Sequence, residues 1–168
     1  MALRLHAAKE PVSSLAGPYG HPFHPVLVTV PIGAWVASFV FDLASRWSDE
    51  PVVFAKGAYW LLGLGLVGAL GAAVFGFLDL VAIPTGTRAF RTGLLHMALN
   101  LGVVAVYTGS FLLRGGRLDR PDGVPGGLIA LSAAALAVLA VSGWLGGRLA
   151  YRYGVRVADE ATQVEGYQ

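Results

Sequence analysis

The chain contains no cysteine. That excludes structural disulfides, thiolate zinc sites, cysteine-ligated iron–sulfur clusters and thioether-linked haem together. Any metal or cofactor must be held by histidine, carboxylate, methionine or tyrosine, and there are only two methionines and four histidines. Charge is scarce as well. Asp, Glu, Lys and Arg make up 13% of the chain, about half the share that soluble domains carry. Residues 1–20 lack an apolar core, so no cleavable signal peptide is expected, and the first hydrophobic segment should stay as an anchor.

What is abundant is hydrocarbon. Hydrophobic residues make up 55% of the chain, and mean hydropathy is +0.64. They come in long blocks that a water-soluble fold could not bury. A helix needs about 20 apolar residues to cross the hydrocarbon core. Four segments qualify: Val26 to Arg46, Gly57 to Ile83, Leu94 to Leu113 and Gly126 to Ala150. Ser48-Asp49-Glu50-Pro51, Pro84-Thr85-Gly86-Thr87 and the stretch from Arg114 to Gly127 separate them. Short connections make consecutive helices antiparallel neighbours. The expectation is a single all-α, polytopic membrane domain over residues 1–168, an up-down bundle of four transmembrane helices. Residues 1–24 and 151–168 form polar segments at or beyond the interface.

The net charge of +2 sits in short basic loops. Such loops suit the headgroups of an anionic leaflet, and no nucleic-acid partner is read from them. Seven Lys and Arg lie on the side of the termini (Arg4, Lys9, Arg88, Arg91, Arg148, Arg152, Arg156). Five lie on the other side (Arg46, Lys56, Arg114, Arg117, Arg120). This slight excess favours cytoplasmic N- and C-termini. Small residues recur four apart, as in Gly68, Ala72 and Gly76, Ser142 and Gly146, and Gly143 and Gly147. They let helices approach closely, within the chain or in a homo-oligomer.

Setting His24 against His96 aligns Leu27 with Leu99, Trp35 with Tyr107, and Ser38-Phe39 with Ser110-Phe111. The following helices share a fainter signature, Val74-Phe75-Gly76 against Val141-Ser142-Gly143. The pattern suggests a duplicated two-helix hairpin whose copies are related by an axis along the membrane normal.

In such a bundle His21, His24, Asp79, Arg88, Arg91, His96 and Asn100 fall at one end. Polar groups at membrane depth are costly, so each needs a reason. In His21-Pro22-Phe23-His24-Pro25, proline suits the first helical position and leaves His24 near the N-cap. Asp79 lies where the helix dipole disfavours negative charge, so compensation is expected from Arg88, Arg91 or His96. Asp42 and Arg46, spaced i and i+4, are read as a structural pair snorkelling to the far surface. Pro31 should kink the first helix and free the carbonyl of Leu27.

Three readings of the polar end stay open. His24 and His96, on diagonal helices, would hold haem b, with Arg88 or Arg91 pairing with the propionates. His21, His24, His96 and Asp79 would instead hold a metal ion, or Asp79 and His96 would relay protons. In the third reading there is no cofactor, and the protein is a structural or assembly subunit.

The segments His21-Pro22-Phe23-His24-Pro25, Pro31-Ile32-Gly33, Gly76-Phe77-Leu78-Asp79 and His96-Met97-Ala98-Leu99-Asn100 resemble an uncharacterised family of small bacterial four-helix membrane proteins, domain of unknown function 2231. The resemblance runs from about His21 to Tyr151 and supplies no catalytic residues. Some members are joined to, or encoded beside, Rieske-type iron–sulfur domains. The resemblance therefore implies a bacterial cytoplasmic-membrane location and a link to electron transfer. Without cysteines, this chain would meet any Rieske-type partner as a separate polypeptide.

Overall fold

The computed structural model describes residues 2–116, 118–119 and 122–168. Arg117 and Arg120, counted above among the loop cations, lie outside the described residues. The helices are α1 (Ala2–Lys9), α2 (His24–Leu27), α3 (Thr29–Trp47), α4 (Pro51–Ala82), α5 (Arg88–Arg114), α6 (Gly126–Gly147) and α7 (Glu160–Val164). A π-helical turn, Arg148–Arg152, extends α6. There is no strand among the described residues. Four spans are long and apolar enough to cross a membrane: His24–Trp47, Pro51–Ala82, Arg88–Arg114 and Gly126–Arg152.

Several helix ends lie outside the expected limits, for local reasons. The second span begins at Pro51, not Gly57. Proline is tolerated in a first turn, where its missing N–H has no intrahelical partner, so it opens this helix instead of breaking it. The third begins at Arg88 because Thr87 caps it, its hydroxyl accepting from the Phe90 amide at 3.0 Å. Phe23, not His24, stands at the N-cap of the first span. Pro31 has no N–H for the Leu27 carbonyl, and the span breaks at Val28 between α2 and α3.

α3 packs on α4 and α5 on α6, while α4 with α5 and α3 with α6 close the ring. That leaves α3 and α5 diagonal, and their side chains meet on the axis. Trp35 stacks on Tyr107 with ring centroids 4.4 Å apart and planes 20° apart, among buried Leu62, Val103 and Ala135. Gly65 makes room, since a Cβ there would lie 2.2 Å from the indole nitrogen of Trp35. The outer faces expose Val36, Leu64, Val67, Leu70 and Val74. Such surface suits lipid, where only the backbone must be satisfied internally.

The axis brings matching positions of the two hairpins together. His24 faces His96, Trp35 stacks on Tyr107, and Asp42 pairs with Arg114, each two partners being 72 residues apart. In the second helices the register is Ala72 with Ser142 and Gly76 with Gly146, because these take the same contacts with the two histidines. It is not the alignment of Gly76 with Gly143 that the local letters suggested.

The polar ends of the chain pack on each other over the histidine end of the bundle. Lys9 Nζ donates to the carbonyls of Val157 (3.2 Å) and Ala158 (3.3 Å). The Arg156 amide donates to the Ala8 carbonyl (2.9 Å), and the Asp159 amide to the Tyr19 hydroxyl (2.8 Å).

Candidate functional site

The first turn of α2 carries His24 towards α4, where its Nδ1 meets the Ala72 carbonyl at 2.9 Å. Two turns into α5, His96 does the same to α6, with Nδ1 2.8 Å from the Ser142 carbonyl. A carbonyl oxygen only accepts, so each Nδ1 carries the hydrogen and each neutral ring keeps its lone pair on Nε2. The rings are perpendicular, with centroids 6.2 Å apart. Each packs on a glycine. A Cβ at Gly76 would lie 2.8 Å from Cε1 and Nδ1 of His24, and one at Gly146 would lie 3.2 Å from Cε1 of His96. These glycines, read above only as helix-packing residues, are the seats of the two imidazoles.

The surroundings of the two rings differ. Asn100, one turn beyond His96, donates through Nδ2 to the Ser142 hydroxyl (2.8 Å) and approaches His96 Nε2 at 3.3 Å. The Ser142 hydroxyl is 3.0 Å from His96 Nδ1. Among the described residues His24 has only the Ala72 carbonyl.

Asp79 is compensated, but by neither Arg88, Arg91 nor His96. Its partner is Arg156, whose Nε lies 2.8 Å from Oδ1. The separation is that of an ion pair, although the N–H is not directed at the oxygen and neither atom completes a hydrogen bond. Arg156 is 3% exposed and has a left-handed backbone, φ 60°. Its Nη2 donates to the carbonyls of Ala16 and Gly17, both at 3.0 Å. These bonds hold a conformation that costs a non-glycine residue about 1–2 kcal/mol. Arg88 and Arg91 are exposed. His21 is exposed too, its Nδ1 3.5 Å from the Tyr19 carbonyl. The four-ligand set His21, His24, His96 and Asp79 is therefore not assembled. No three His, Asp or Glu side chains gather into a metal-holding group among the described residues.

At the opposite end, Asp42 does not pair with Arg46. Asp42 is fully buried and accepts from both terminal guanidinium nitrogens of Arg114, Nη1 to Oδ1 at 2.5 Å and Nη2 to Oδ2 at 2.9 Å. Arg114 Nε donates to Ser110 (3.1 Å), and the Ser132 hydroxyl to Asp42 (3.3 Å). Arg46 instead reaches the Asp122 carbonyl at 2.6 Å. The signal for this pair was in the sequence: continuing the register three residues past Phe39 and Phe111 sets Asp42 against Arg114. Arg156 had no comparable signal.

The fold and its polar ends define a small multi-pass membrane protein with pseudo-equivalent histidines on its axis. The chain belongs to the family described as "Predicted membrane protein (DUF2231)", whose model matches residues 20–159. That range takes in both histidines, Asp79, the Asp42–Arg114 pair and Arg156. No curated protein and no solved structure matches the chain.

Proposed function

We propose that this is a redox accessory protein of the bacterial cytoplasmic membrane, in which His24 and His96 hold one haem b between the two hairpins. The observation that carries the reading is the state of the imidazoles. Both commit Nδ1–H to a helix carbonyl, which leaves the Nε2 lone pair of His24 for a ligand and that of His96 for one that displaces the Asn100 amide. A hydrogen bond from the far ring nitrogen orients a ligating histidine and raises its basicity. With only two ligands to hand, the donor set suits a metal that brings its other ligands with it, as haem iron does. Haem would supply a one-electron carrier. Gly76 and Gly146 seat the rings, and the exposed Arg88 and Arg91 at the start of α5 are cations for the propionates. Cytoplasmic termini and a separate Rieske-type partner complete the proposal.

A second reading, a structural or assembly subunit without cofactor, draws on the same contacts. Each Nδ1 is already satisfied, and the aromatic and ionic pairs along the axis need nothing added. The proton-relay reading is weakened, because Asp79 is held by Arg156 and not by His96.

Visible spectra of the detergent-purified protein, oxidised and then dithionite-reduced, separate the two. A Soret band with α and β bands that sharpen on reduction, lost in His24→Ala and in His96→Ala, is expected. A protein that stays colourless after reconstitution with haem sinks the haem reading and leaves the structural one.

A further inference from the structure

Ser142 and Gly146 turn towards His96, whereas Trp144 and Arg148 lie two residues on. At 3.6 residues per turn, that is the opposite side of the fourth span. There Trp144, Gly147, Arg148, Tyr151 and Arg152 line a groove of about 410 Å³, with no acidic residue among them. Trp144 is 65% exposed and Tyr151 92%. The groove therefore opens onto the surface that faces lipid, away from the histidines.

The π-helical turn Arg148–Arg152 shapes it. The Tyr153 amide donates to the Arg148 carbonyl, five residues back, at 3.1 Å. Such widened turns concentrate at functional sites. The Arg148 guanidinium lies over two rings, 5.5 Å from the centroids of both Trp144 and Tyr153. Its Nε is buried with no hydrogen-bond partner. The helix dipole and snorkelling explain a cation at this depth. They do not explain a guanidinium steadied by two rings at the edge of a groove, where, with Nε enclosed, a ligand would be met by the terminal nitrogens.

We infer that this groove binds a phosphate-bearing anion, most simply the phosphodiester of an anionic lipid headgroup. Two arginines offer the planar, forked donors that match phosphate oxygens, and a lysine does not reproduce that fork. Trp144 and Tyr151 lie towards the C-terminal end of the last span, Gly126–Arg152, and amphipathic rings are favoured where a span meets the headgroups. Basic pockets of this kind against a transmembrane helix take acidic headgroups.

The test is lipid retention by the full chain. Wild type and Arg148→Gln/Arg152→Gln are purified in mild detergent and incubated with short-chain phosphatidylglycerol or phosphatidylcholine. Bound lipid is then counted by native mass spectrometry, and thermal protection is measured in parallel with inorganic phosphate. Phosphatidylglycerol should be retained at least fivefold over phosphatidylcholine by wild type. The double variant should lose that preference, and Arg46→Gln/Lys56→Gln, which removes two exposed cations at the other end of the bundle, should keep it. Protection by millimolar phosphate matching that by phosphatidylglycerol assigns the same chemistry to a free anion. Equal retention of the two lipids by wild type, with no protection by phosphate, overturns the proposal whether or not the double variant folds. Arg148→Lys/Arg152→Lys keeps the charge without the fork, and full retention there overturns the role given to the guanidinium.

Discussion

Asp42 and Arg114 at one end of the bundle, and His24 and His96 at the other, stand at matching positions of the two hairpins and meet across the same axis. At the first end duplication has diverged into complementary groups. Carboxylate and guanidinium bind each other at two points, and Ser110 and Ser132 take up further hydrogen bonds. At the second end the groups have stayed identical. Two neutral imidazoles can share only one hydrogen bond, and here each turns its Nδ1–H outward to a carbonyl instead. A closed pair contributes to folding, and an open pair is where something can be added.

The largest expected effect breaks the closed pair. Asp42→Ala leaves a buried guanidinium without its anion, which costs about 3–5 kcal/mol. Unfolding in mixed micelles, followed by circular dichroism, measures it. Because the two positions match across the axis, the exchanged double variant Asp42→Arg/Arg114→Asp should recover a substantial part of the loss. Ser110 and Ser132 are not exchanged with it, so recovery should be incomplete. A single substitution costing under about 1 kcal/mol would place the pair with weak surface bridges and undo the contrast between the two ends.

Next comes the contact that closes the histidine end. Arg156→Gln removes the cation beside Asp79 and the donors to Ala16 and Gly17. Asp79 keeps 12% of its surface in contact with solvent, so the loss should be smaller, about 1.5–3 kcal/mol. It should also be local. Amide exchange should rise in residues 9–17 and 155–158 while the Trp35–Tyr107 layer stays protected. Exchange rising equally throughout would show that the terminal cap and the bundle fold as one unit.

The seats of the imidazoles give a graded test. Gly76→Ala drives a methyl to 2.8 Å from the His24 ring, and Gly146→Ala to 3.2 Å from that of His96. Overpacking of this kind costs about 1–3 kcal/mol, the first variant more than the second. Gly143 has nothing within 4 Å. Gly143→Ala should therefore be neutral or stabilising, by up to about 1 kcal/mol from helix propensity. If all three behave alike, the glycines serve helix approach in general and not the histidines.

What the sequence disclosed and what it concealed follow the same physics. The spans were legible because lipid demands long apolar blocks, and nothing else in a chain looks like Gly57 to Ile83. The meeting of His24 with His96 was legible through the register of the repeat. Asp42 was misread because Arg46, one turn away, offered a plausible local partner, and local spacing cannot weigh a distant residue on a diagonal helix. Asp79 was misread because its cation arrives from the tail, on a left-handed residue with no sequence signature. The helix limits at Pro51 and Arg88 were missed because proline and threonine end a helix from one side and begin one from the other.

The smallest effect concerns the open pair itself. His24→Ala removes one hydrogen bond, to the Ala72 carbonyl, and should cost about 1 kcal/mol without cofactor. His96→Ala removes the bond to the Ser142 carbonyl and also the ring around which Asn100 and Ser142 are arranged. It leaves buried donors to find new partners, so it should cost the more of the two. Both should fall well below Asp42→Ala in the cofactor-free protein. If haem is bound, the order changes, because a ligand held only by the folded state adds its binding energy to stability. Either alanine variant should then lose that increment along with the Soret band. Variants that differ from wild type by the same small amounts before and after haem reconstitution would mean that the imidazoles carry nothing between them, and both ends of the axis would then be structural.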